Sequence, residues 1–555
     1  MSIFSKLLGY LSTIIQFKDI NVKEALLASS DINPDGTREI TYTEAKSSSI
    51  TPAMLKAALN PNENNTDIVS FEEFQYFTGI SQFPSAFLKG CSNLKHIKFP
   101  LITISTTIIG NSIVGGNLLA NTSVEVLDLT NVNKLFAHPA PVTGAVTGTT
   151  LFGSLSSLTT VIIPNLQTIQ GNVFTKATAP NVTKVVISSI NQWLGLAVDS
   201  YSNAKPNILP TASGKAYLYI GDVQVTDIDV NNASIPEHCF DGVLGLNTIT
   251  IKNNNTSVGA FAFSNLPATV TIINYDYISS IGVGCFNNCK AQGITGIPAN
   301  SINIGEGAFS GSSIQSCISD TLTTIGRVAF ESSQVTVVKI NNCNSISGSY
   351  GGWTHGTFAS CSKLVSAEIN ASPSIPSSCF YNCSSLTILK AYSATIVGKN
   401  GCDRCTNLTT LYVNANITKF EDNACFNDAS LDTIKTVDTS NNNAISNLDL
   451  SILSVVGVSA FEGCSLLQCP SVFPNLTSIG RCAFTGCIAP TTGTYVTLSK
   501  SDSIVTFVPS VNLSDNYKSP FPTSVTTVYV PSNLVSDYQS DDNWSRTGLT
   551  FAAIA

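Results

Sequence analysis

A short segment near the start of the chain carries oxygen-bearing side chains at the spacing that calcium loops use. Asp31, Asn33 and Asp35 stand at alternate positions, and Gly36 follows directly. Short carboxylate and amide side chains at alternate positions wrap Ca²⁺, and the glycine permits the sharp turn between them. The spacing indicates a candidate calcium site, and Ca²⁺ is the only cofactor that the sequence suggests.

The calcium pattern also needs a bidentate carboxylate at the twelfth loop position. That position is Tyr42, whereas Glu44 stands two residues further along. Calcium binding therefore needs two extra loop residues, with Glu44 as the last ligand and Glu39 as an additional one. The alternative is a metal-free turn, because Asp, Asn, Pro and Gly also favour tight turns.

A second candidate site lies in the glycine-rich segment 341–357, NNCNSISGSYGGWTHGT, which groups Tyr350, Trp353 and His355. Aromatic side chains on an adaptable Gly and Ser loop are typical anchors for a protein or a glycan. The alternative is that these side chains fold back and cover an edge of the protein.

The sequence offers little for catalysis, so we expect a protein that is not an enzyme. Its four histidines are scattered, and no HExxH, GxSxG or phosphate-binding glycine loop is present. Cys402 and Cys405 form a CxxC pair, but no second pair or paired histidines follow to complete a zinc site. We interpret that pair as a coincidence of repeat register.

These candidates sit in a chain that repeats itself about every two dozen residues. The repeated unit contains Ile or Val followed by Gly, and an aromatic anchor stands four residues after that Gly, as in Gly282/Phe286 and Gly480/Phe484. The clearest anchors are Phe240, Phe263, Phe286, Phe309, Phe330, Phe358, Phe380, Phe461 and Phe484. Such a period predicts a solenoid, in which each unit buries its apolar face only by stacking on its neighbours. The glycine is expected to adopt φ > 0 or to allow a close backbone approach.

Within each unit the pattern predicts a β-strand, a turn, a short second strand and a turn that buries the anchor. Runs such as LTTVIIP (158–164) and LTTLYV (408–413) supply the first strand, and LTTIG (322–326) is typical of the second. Phe87 and Phe152 lie 65 residues apart, near three units of weaker sequence. Spacings between neighbouring anchors that are longer than one unit indicate inserted loops, which in solenoids often lie on the binding face.

The sixteen cysteines follow the repeat. Several stand three residues after an anchor, others directly before one, and Ala takes the same places elsewhere. By this reasoning Cys425 precedes an anchor at Phe426, and Ala429 follows it. Free cysteine behaves as a small hydrophobe, so stacked thiols are expected rather than disulfides.

Composition and charge exclude some functions. The net charge is −8 and no basic cluster appears, so a nucleic-acid partner is not expected. No segment approaches the roughly 20 apolar residues of a membrane span. LLGYLSTIIQF near the N-terminus lacks a small-residue cleavage site before Lys18, so export by the general secretory route is not predicted.

Five segments are expected along the chain. Residues 1–20 form an amphipathic helix, since Phe4, Leu7, Leu11 and Ile14 share one face. It either caps the first repeat or anchors the chain to a partner or a second copy. Residues 21–82 form a small helical module with the calcium-like loop. Residues 83–200 hold degenerate repeats, 201–520 regular repeats with inserted loops, and 521–555 a C-terminal cap.

The repeats resemble those of BspA-like leucine-rich-repeat proteins, through CFYNCSSLTILKA (379–391), AFEGCSLL (460–467) and AFTGC (483–487). Residues 216–240 are similar to the family's internal connector, and 526–545 to its cap of a last strand, a short helix and a Trp. The resemblance implies a mainly β, right-handed solenoid of about twenty or more short strands with a small N-terminal helical module. DINPDG, ITYTEA and FEEFQYFTGI resemble an N-terminal module of gut Bacteroidales proteins and their phages, and aligning them places the two extra residues after Gly36.

What the family resemblance implies about function is adhesion or recognition of a protein or cell-surface glycan. Bacterial members of this type usually carry a lipoprotein signal, which is not found here. The hypothesis is therefore a receptor-recognition component of a phage virion, of tail or head-fibre type, attached to other virion proteins or to itself through residues 1–20. The alternative is an adhesin on the bacterial cell surface that binds host proteins.

Overall fold

The computed structural model of the chain describes residues 13–80, 83–105, 107–109, 112–114, 116–136, 151–170, 173, 179–199, 216–349, 354–438, 444–509 and 517–554. The chain divides into two compact units, unit 1 (residues 1–250) and unit 2 (residues 251–555). No helix in the described ranges is both long enough and apolar enough to cross a membrane.

Short strands dominate the described residues, and helices are few. The helices are α1 Ile20–Leu27, α2 Tyr42–Ala45, α3 Pro52–Leu59, α4 Ile190–Leu194 and α5 Val535–Ser540. The first twenty strands are β1 Ser70–Phe71, β2 His96–Lys98, β3 Ile102–Ser105, β4 Thr107–Ile109, β5 Ser112–Val114, β6 Val126–Asp128, β7 Val132–Phe136, β8 Thr160–Ile162, β9 Thr168–Gln170, β10 Lys184–Ile187, β11 Ala197–Asp199, β12 Ala216–Ile220, β13 Val223–Gln224, β14 Asp227–Val230, β15 Ser234–Ile235, β16 Val243–Leu244, β17 Thr248–Ile251, β18 Thr256–Val258, β19 Thr271–Ile273 and β20 Ile278–Ile281.

The remaining strands are β21 Asn303–Ile304, β22 Ser316–Ile318, β23 Thr324–Ile325, β24 Val337–Lys339, β25 Ser345–Ile346, β26 Ser366–Glu368, β27 Ser374–Ile375, β28 Ile388–Lys390, β29 Ile396–Val397, β30 Thr410–Asn414, β31 Lys419–Phe420, β32 Thr433–Asp438, β33 Ala444–Asn447, β34 Val455–Val456, β35 Val472–Phe473, β36 Ser478–Gly480, β37 Tyr495–Leu498, β38 Thr506–Val508, β39 Thr527–Val530 and β40 Thr550–Ala553. The strands Thr410–Asn414, Thr324–Ile325 and Ser478–Gly480 fall where the repeat pattern predicts a first or a second strand. The predicted mainly β fold with a small N-terminal helical module is confirmed.

Unit 1 holds the helical module and two parallel sheets. One sheet runs β1, β2, β6, β8, β10, β12, with β13 antiparallel and β16 parallel to β12, and the other runs β3, β7, β9, β11. Asp19 joins module and sheet: one carboxylate oxygen accepts from Asn21 N at the start of α1, and the other accepts from Val69 N and Ser70 N at 2.6 and 3.0 Å.

The predicted helix over residues 1–20 lies mostly outside the described residues, which begin at residue 13. For residues 13–19 the helix prediction is wrong. Ile14 bridges Thr41 in antiparallel fashion, and Ile15 N donates to the Ile40 carbonyl at 2.9 Å. Ile14 and Ile15 are buried, so here extended pairing and burial in the module outweigh the helical spacing of the apolar residues.

Unit 2 stacks its repeats into parallel sheets. The first strands of successive repeats form the sheet β22, β24, β26, β28, β30, β32, which ends on the antiparallel β33. The second strands form β27, β29, β31, β34, β36, β38, and a further sheet runs β35, β37, β39, β40. After β39 the cap buries Trp544, whose Nε1 donates to the Val505 carbonyl at 2.6 Å, and β40 then pairs with β39.

The aromatic anchors form a continuous ring stack in unit 2. Phe286 lies between Phe263 and Phe309, with ring centroids 5.1 and 5.2 Å away and interplanar angles of 10° and 1°. The stack continues through Phe330 and Phe358 to Phe380 at 5.1 to 5.5 Å. Each anchor N–H donates to the carbonyl that precedes the next anchor, as in Phe286 N to Ala308 at 2.7 Å. The repeat period therefore sets both ring packing and backbone pairing.

The turn around most anchors has left-handed backbone on both sides. Residues two before and two after most anchor slots have φ > 0, as at Phe261 and Asn265 around Phe263, whereas Gly356 before Phe358 does not. The repeated Gly before the anchor has a different role. A Cβ on Gly480 would stand 2.2 Å from Val458 N, and Gly305 and Gly326 show the same conflict with the preceding repeat. Of the two predicted roles, close backbone approach applies to these glycines.

The ring stack is interrupted at two repeats. Cys402 N and Cys425 N make the anchor hydrogen bonds, to Ala424 and Ala460 at 2.8 Å each, so both cysteines occupy anchor slots. The predicted anchor at Phe426 is wrong by one residue, and its side chain is only half-buried. Asn423 and Asn427, with φ of 54° and 59°, flank Cys425 and fix this register.

A similar shift occurs in unit 1. Leu88 fills the slot between the positive-φ residues Ala86 and Gly90, and its N–H donates to the Leu118 carbonyl at 2.8 Å. The predicted anchor Phe87 stands one place earlier and packs on Phe74 with centroids 5.4 Å apart. Both positions are buried, so hydrophobicity alone cannot distinguish them.

All sixteen cysteines are free and buried, as the repeat pattern predicts. Five cysteines that stand three positions after an anchor slot donate Sγ–H to the carbonyl of the preceding anchor slot at 3.0 to 3.2 Å: Cys361, Cys383, Cys405, Cys464 and Cys487. Asp428, not Ala429, takes this place after Cys425 and accepts from Cys405 N at 2.8 Å. The slot therefore selects a small side chain that pairs with backbone.

Candidate ligand-binding surface

The calcium-like loop uses three of its four predicted ligands for internal contacts, and one of these is Asp35, whose Oδ1 accepts from Thr37 N at 3.2 Å. Asn33 is buried; its Nδ2 donates to the carbonyls of Leu27 and Thr37 at 3.0 and 2.9 Å, and its Oδ1 accepts from Thr37 Oγ1. Glu44 closes a capping box on α2, where its Oε2 accepts from Thr41 N at 2.6 Å.

The predicted ligands Asp31 and Asp35 are exposed, and Glu39 pairs with Lys23 Nζ at 2.8 Å. Within the described ranges no group of three or more His, Cys, Asp or Glu side chains is arranged to hold a metal ion. Calcium binding through Asp31, Asn33, Asp35 and Glu44 stays a prediction, and it requires Glu44 to leave its cap or to share an oxygen.

Of the predicted aromatic site, Tyr350 and Trp353 lie outside the described residues. His355 is 59% exposed in its side chain, and its Nδ1 contacts the Oε1 of Glu331 in the preceding repeat. The segment before it is regular solenoid: β25 pairs with β23, and Ser349 N donates to the Ser377 carbonyl at 2.9 Å. A binding role for the three residues stays a prediction.

The outer face of the sheet β22 to β32, here called the sheet face, brings together side chains that are far apart in sequence. In each strand the residue in register with Cys317 of β22 is buried, so the residues on either side of it point outward. Strand register aligns one outward position from each strand in a straight row: Ile318, Lys339, Glu368, Lys390, Tyr412 and Lys435. We call this row the lysine row.

Contacts within the lysine row are few and leave positive charge exposed. Lys390 Nζ lies 3.7 Å from Glu368 Oε2, and Lys435 Nζ stands 5.7 Å from the Tyr412 ring centroid. Lys339 is exposed and forms no ion pair with any described residue. Three lysines face one carboxylate, so the row is locally positive on a chain of net charge −8.

Beside the lysine row lie apolar and aromatic side chains. Val365 and Ile388 are 49 and 38% exposed, and Ile318 at the end of the row itself is 53% exposed. Tyr392 packs edge-on against Tyr412 with centroids 5.9 Å apart. Exposed apolar groups next to aromatic rings and cations are the composition expected of a surface that a partner covers.

At its far edge the sheet face ends in a cleft. The hairpin β32–β33 interrupts the parallel sheet, and a hollow of about 370 Å³ opens beside it. Its polar lining includes Asp432, Asn447, Asp449, Gln468 and Ser471. This hairpin lies between the predicted anchors Phe426 and Phe461, where their long spacing predicts an inserted loop.

Unit 1 has an equivalent outer row, but its charges are neutralised. Lys98 pairs with Asp128 at 3.7 Å in adjacent strands, and the row continues with Ile162. Lys184 stands 4.5 Å from the Tyr219 ring centroid on the same sheet. Unit 2 therefore carries the stronger candidate surface.

Sequence reasoning did not find the lysine row, although a signal existed. Lys390, Tyr412 and Lys435 each stand ten residues after an anchor slot. Finding the row requires the correct slots, and two of these slots hold cysteine instead of phenylalanine.

Comparison with known proteins identifies the repeats. The sequence profile described as "BspA type Leucine rich repeat region" matches residues 215–350, 354–451 and 428–504 in six copies, just over half of the chain. No curated protein matches the chain.

Three solved structures are similar to this chain. A leucine rich cell surface protein from Faecalibacterium prausnitzii is 16% identical over 71% of this chain and 88% of its own, with a TM-score of 0.32. A leucine-rich repeat protein from Bacteroides ovatus is 13% identical over 86% of this chain and 88% of its own, with a TM-score of 0.27. The pneumococcal vaccine antigen PcpA is 14% identical over 81% of this chain and 96% of its own, with a TM-score of 0.31. Likeness at this level concerns the repeat fold alone. On its repeats and on the profile that matches them, the chain belongs to the BspA-type leucine-rich-repeat family.

Proposed function

We propose that the protein is a recognition or adhesion protein that acts by binding, and that it holds an extended partner on the sheet face of unit 2. The observation that carries the proposal is the lysine row, flanked by Tyr392 and exposed Ile388. A regular parallel sheet holds the backbone of these residues rigidly, so little backbone conformational entropy is lost on binding. A flat, repeated surface suits a long partner better than a small substrate.

The chain offers a matched pair of substitutions to test this proposal. Ile388 in β28 and Ile396 in β29 belong to the same repeat and are 38 and 36% exposed, but they lie on different sheets. Ile388→Asp should weaken binding to immobilised matrix proteins or glycans by about tenfold or more, as for a contact residue. Ile396→Asp should leave binding unchanged. Equal effects of the two variants, at equal melting temperature, would contradict the role of the sheet face.

The place of action is a separate proposal. A virion component of tail or head-fibre type is motivated by the resemblance of residues 21–80 to a module of Bacteroidales proteins and their phages. Sixteen free, buried thiols fit folding in a reducing cytoplasm before assembly. Mass spectrometry of gradient-purified phage particles and of outer-membrane fractions separates the two locations. Recovery at a small integer ratio to a known particle protein supports the virion, whereas recovery only in envelopes supports a cell-surface adhesin.

A further inference from the structure

The lysine row alternates along the sheet. Lys339, Lys390 and Lys435 occupy β24, β28 and β32, and the strands between them present Glu368 and Tyr412. Neighbouring strands lie about 4.8 Å apart, so the lysines repeat at about 10 Å. The sheet thus carries a straight ladder of cations on alternate strands.

An extended chain with acidic groups at alternate units would match this ladder. One sugar of an extended polysaccharide is about as long as the distance between neighbouring strands. Acid groups on every second sugar would therefore meet lysines on every second strand, with the uncharged sugars over Glu368 and Tyr412.

Other features of the sheet face favour a saccharide over an acidic peptide. A peptide that adds as a strand pairs at a sheet edge and runs along the strands, whereas the lysine row runs across them. The row next to the lysines includes the hydroxyls of Ser366 and Thr410, which can hydrogen-bond sugar hydroxyls. Ser316 and Thr433 in the same row already donate to Thr295 O and Asp432 Oδ1 and can still accept a hydrogen bond. Tyr412 and Tyr392 add rings with an apolar body and a polar tip.

We propose that the sheet face of unit 2 binds an acidic polysaccharide that carries a carboxylate or sulfate on alternate sugars. The inference rests on the proposed function and names the chemistry of the partner. Lys339 and Lys435 are the main anion contacts, because Lys390 already lies near Glu368.

The test measures binding of hyaluronan oligosaccharides, which carry one carboxylate on every second sugar, to the full chain. Neutral chitin oligosaccharides and poly-glutamate serve as comparison probes. Lys339→Ala with Lys435→Ala should weaken hyaluronan binding about tenfold, and raised salt should weaken wild-type binding. Lys399→Ala with Lys419→Ala, on the neighbouring sheet, removes the same charge and should change binding less than twofold.

A gain of binding provides a second arm. Glu368→Gln removes the one carboxylate of the row and should tighten hyaluronan binding about two- to fivefold. An unchanged or weaker affinity of this variant would overturn the inference, as would equal binding of neutral chitin oligosaccharides or stronger binding of poly-glutamate. If no acidic saccharide binds but Ile388→Asp still abolishes adhesion, the inference fails and the proposed function stands. If Ile388→Asp has no effect on adhesion, the proposed function fails as well.

Discussion

The register of the ring stack predicts unequal losses of stability when either of two phenylalanines that look equivalent in sequence is replaced by alanine. Phe286 is fully buried between Phe263 and Phe309, and Tyr275 packs edge-on against it at 5.5 Å. Phe426 stands one residue after its slot and is half-buried. We therefore expect Phe286→Ala to destabilise its repeat more than Phe426→Ala destabilises the repeat that contains Phe426.

The magnitude follows from burial. A buried Phe side chain removes about 150–200 Å² from water, and at about 25 cal/mol per Å² this is worth about 4–5 kcal/mol. Measured Phe→Ala changes in cores cost about 3–5 kcal/mol, which includes the cavity left behind. Scaled to the buried part of its side chain, replacing the half-buried Phe426 should cost about 2 kcal/mol.

Hydrogen exchange read by mass spectrometry is the suitable assay, because a repeat array can open locally without unfolding as a whole. For Phe286→Ala, amides in residues 263–309 should exchange about 100- to 4,000-fold faster, the ratio for a loss of about 3–5 kcal/mol. For Phe426→Ala, amides in residues 423–464 should exchange at most about 30-fold faster, the ratio for a loss of about 2 kcal/mol. A large effect at Phe426 together with none for Cys425→Ala would refute the register.

Three further predictions concern thiols, buried carboxyls and calcium. Burial raises the pKa of the Cys361, Cys289 and Cys487 thiols to about 12, so the native protein should react slowly with Ellman's reagent at pH 8, whereas all sixteen thiols should titrate in denaturant; several fast thiols in the native state would contradict this. Burial raises the pKa of Asp403 to about 7 and that of Asp428 well above its usual range, so both carboxyls favour the protonated form in the folded state. The contribution of these two carboxyls to the free energy of unfolding should therefore be largest below about pH 4 and be lost as the pH rises through about 7. Compared with the parent, Asp403→Asn with Asp428→Asn should lose less stability over this range in melting curves, and parallel pH profiles would exclude the assignment. Calcium should raise the melting temperature of the N-terminal module if Asp31, Asn33, Asp35 and Glu44 bind it; since Glu44→Ala also removes a helix cap, each variant is compared with and without calcium, and an equal calcium response in both would count against the site.

Several features of the fold follow from the sequence alone because they depend on periodicity. A buried position must recur wherever rungs of equal length stack, so Phe263, Phe286 and Phe309 reveal the period without any structure. The same reasoning places the cysteines, since a slot shared by Cys and Ala must be small and buried. Short β-branched runs identify both strands of each repeat.

The tertiary structure decided what depends on register and on pairing across repeats. Phe426 and Cys425 are neighbours, and only the left-handed turns at Asn423 and Asn427 show that the cysteine enters the core. Gly480 is needed because the backbone at Val458 passes within contact distance, a fact invisible in one repeat. Asn33 and Glu44 have the chemistry of metal ligands, but the fold engages both in local hydrogen bonds.

The candidate surface shows most clearly which features the sequence determines and which only the tertiary structure decides. Composition shows that the chain is acidic, and no run of its sequence is basic. Lys339, Lys390 and Lys435 become neighbours only because parallel pairing stacks every repeat in the same register. Sequence alone thus determines that the chain forms stacked repeats, because burial obeys a period along the chain. Which side chains meet on the surface is decided by the stacking, because those contacts run across the repeats.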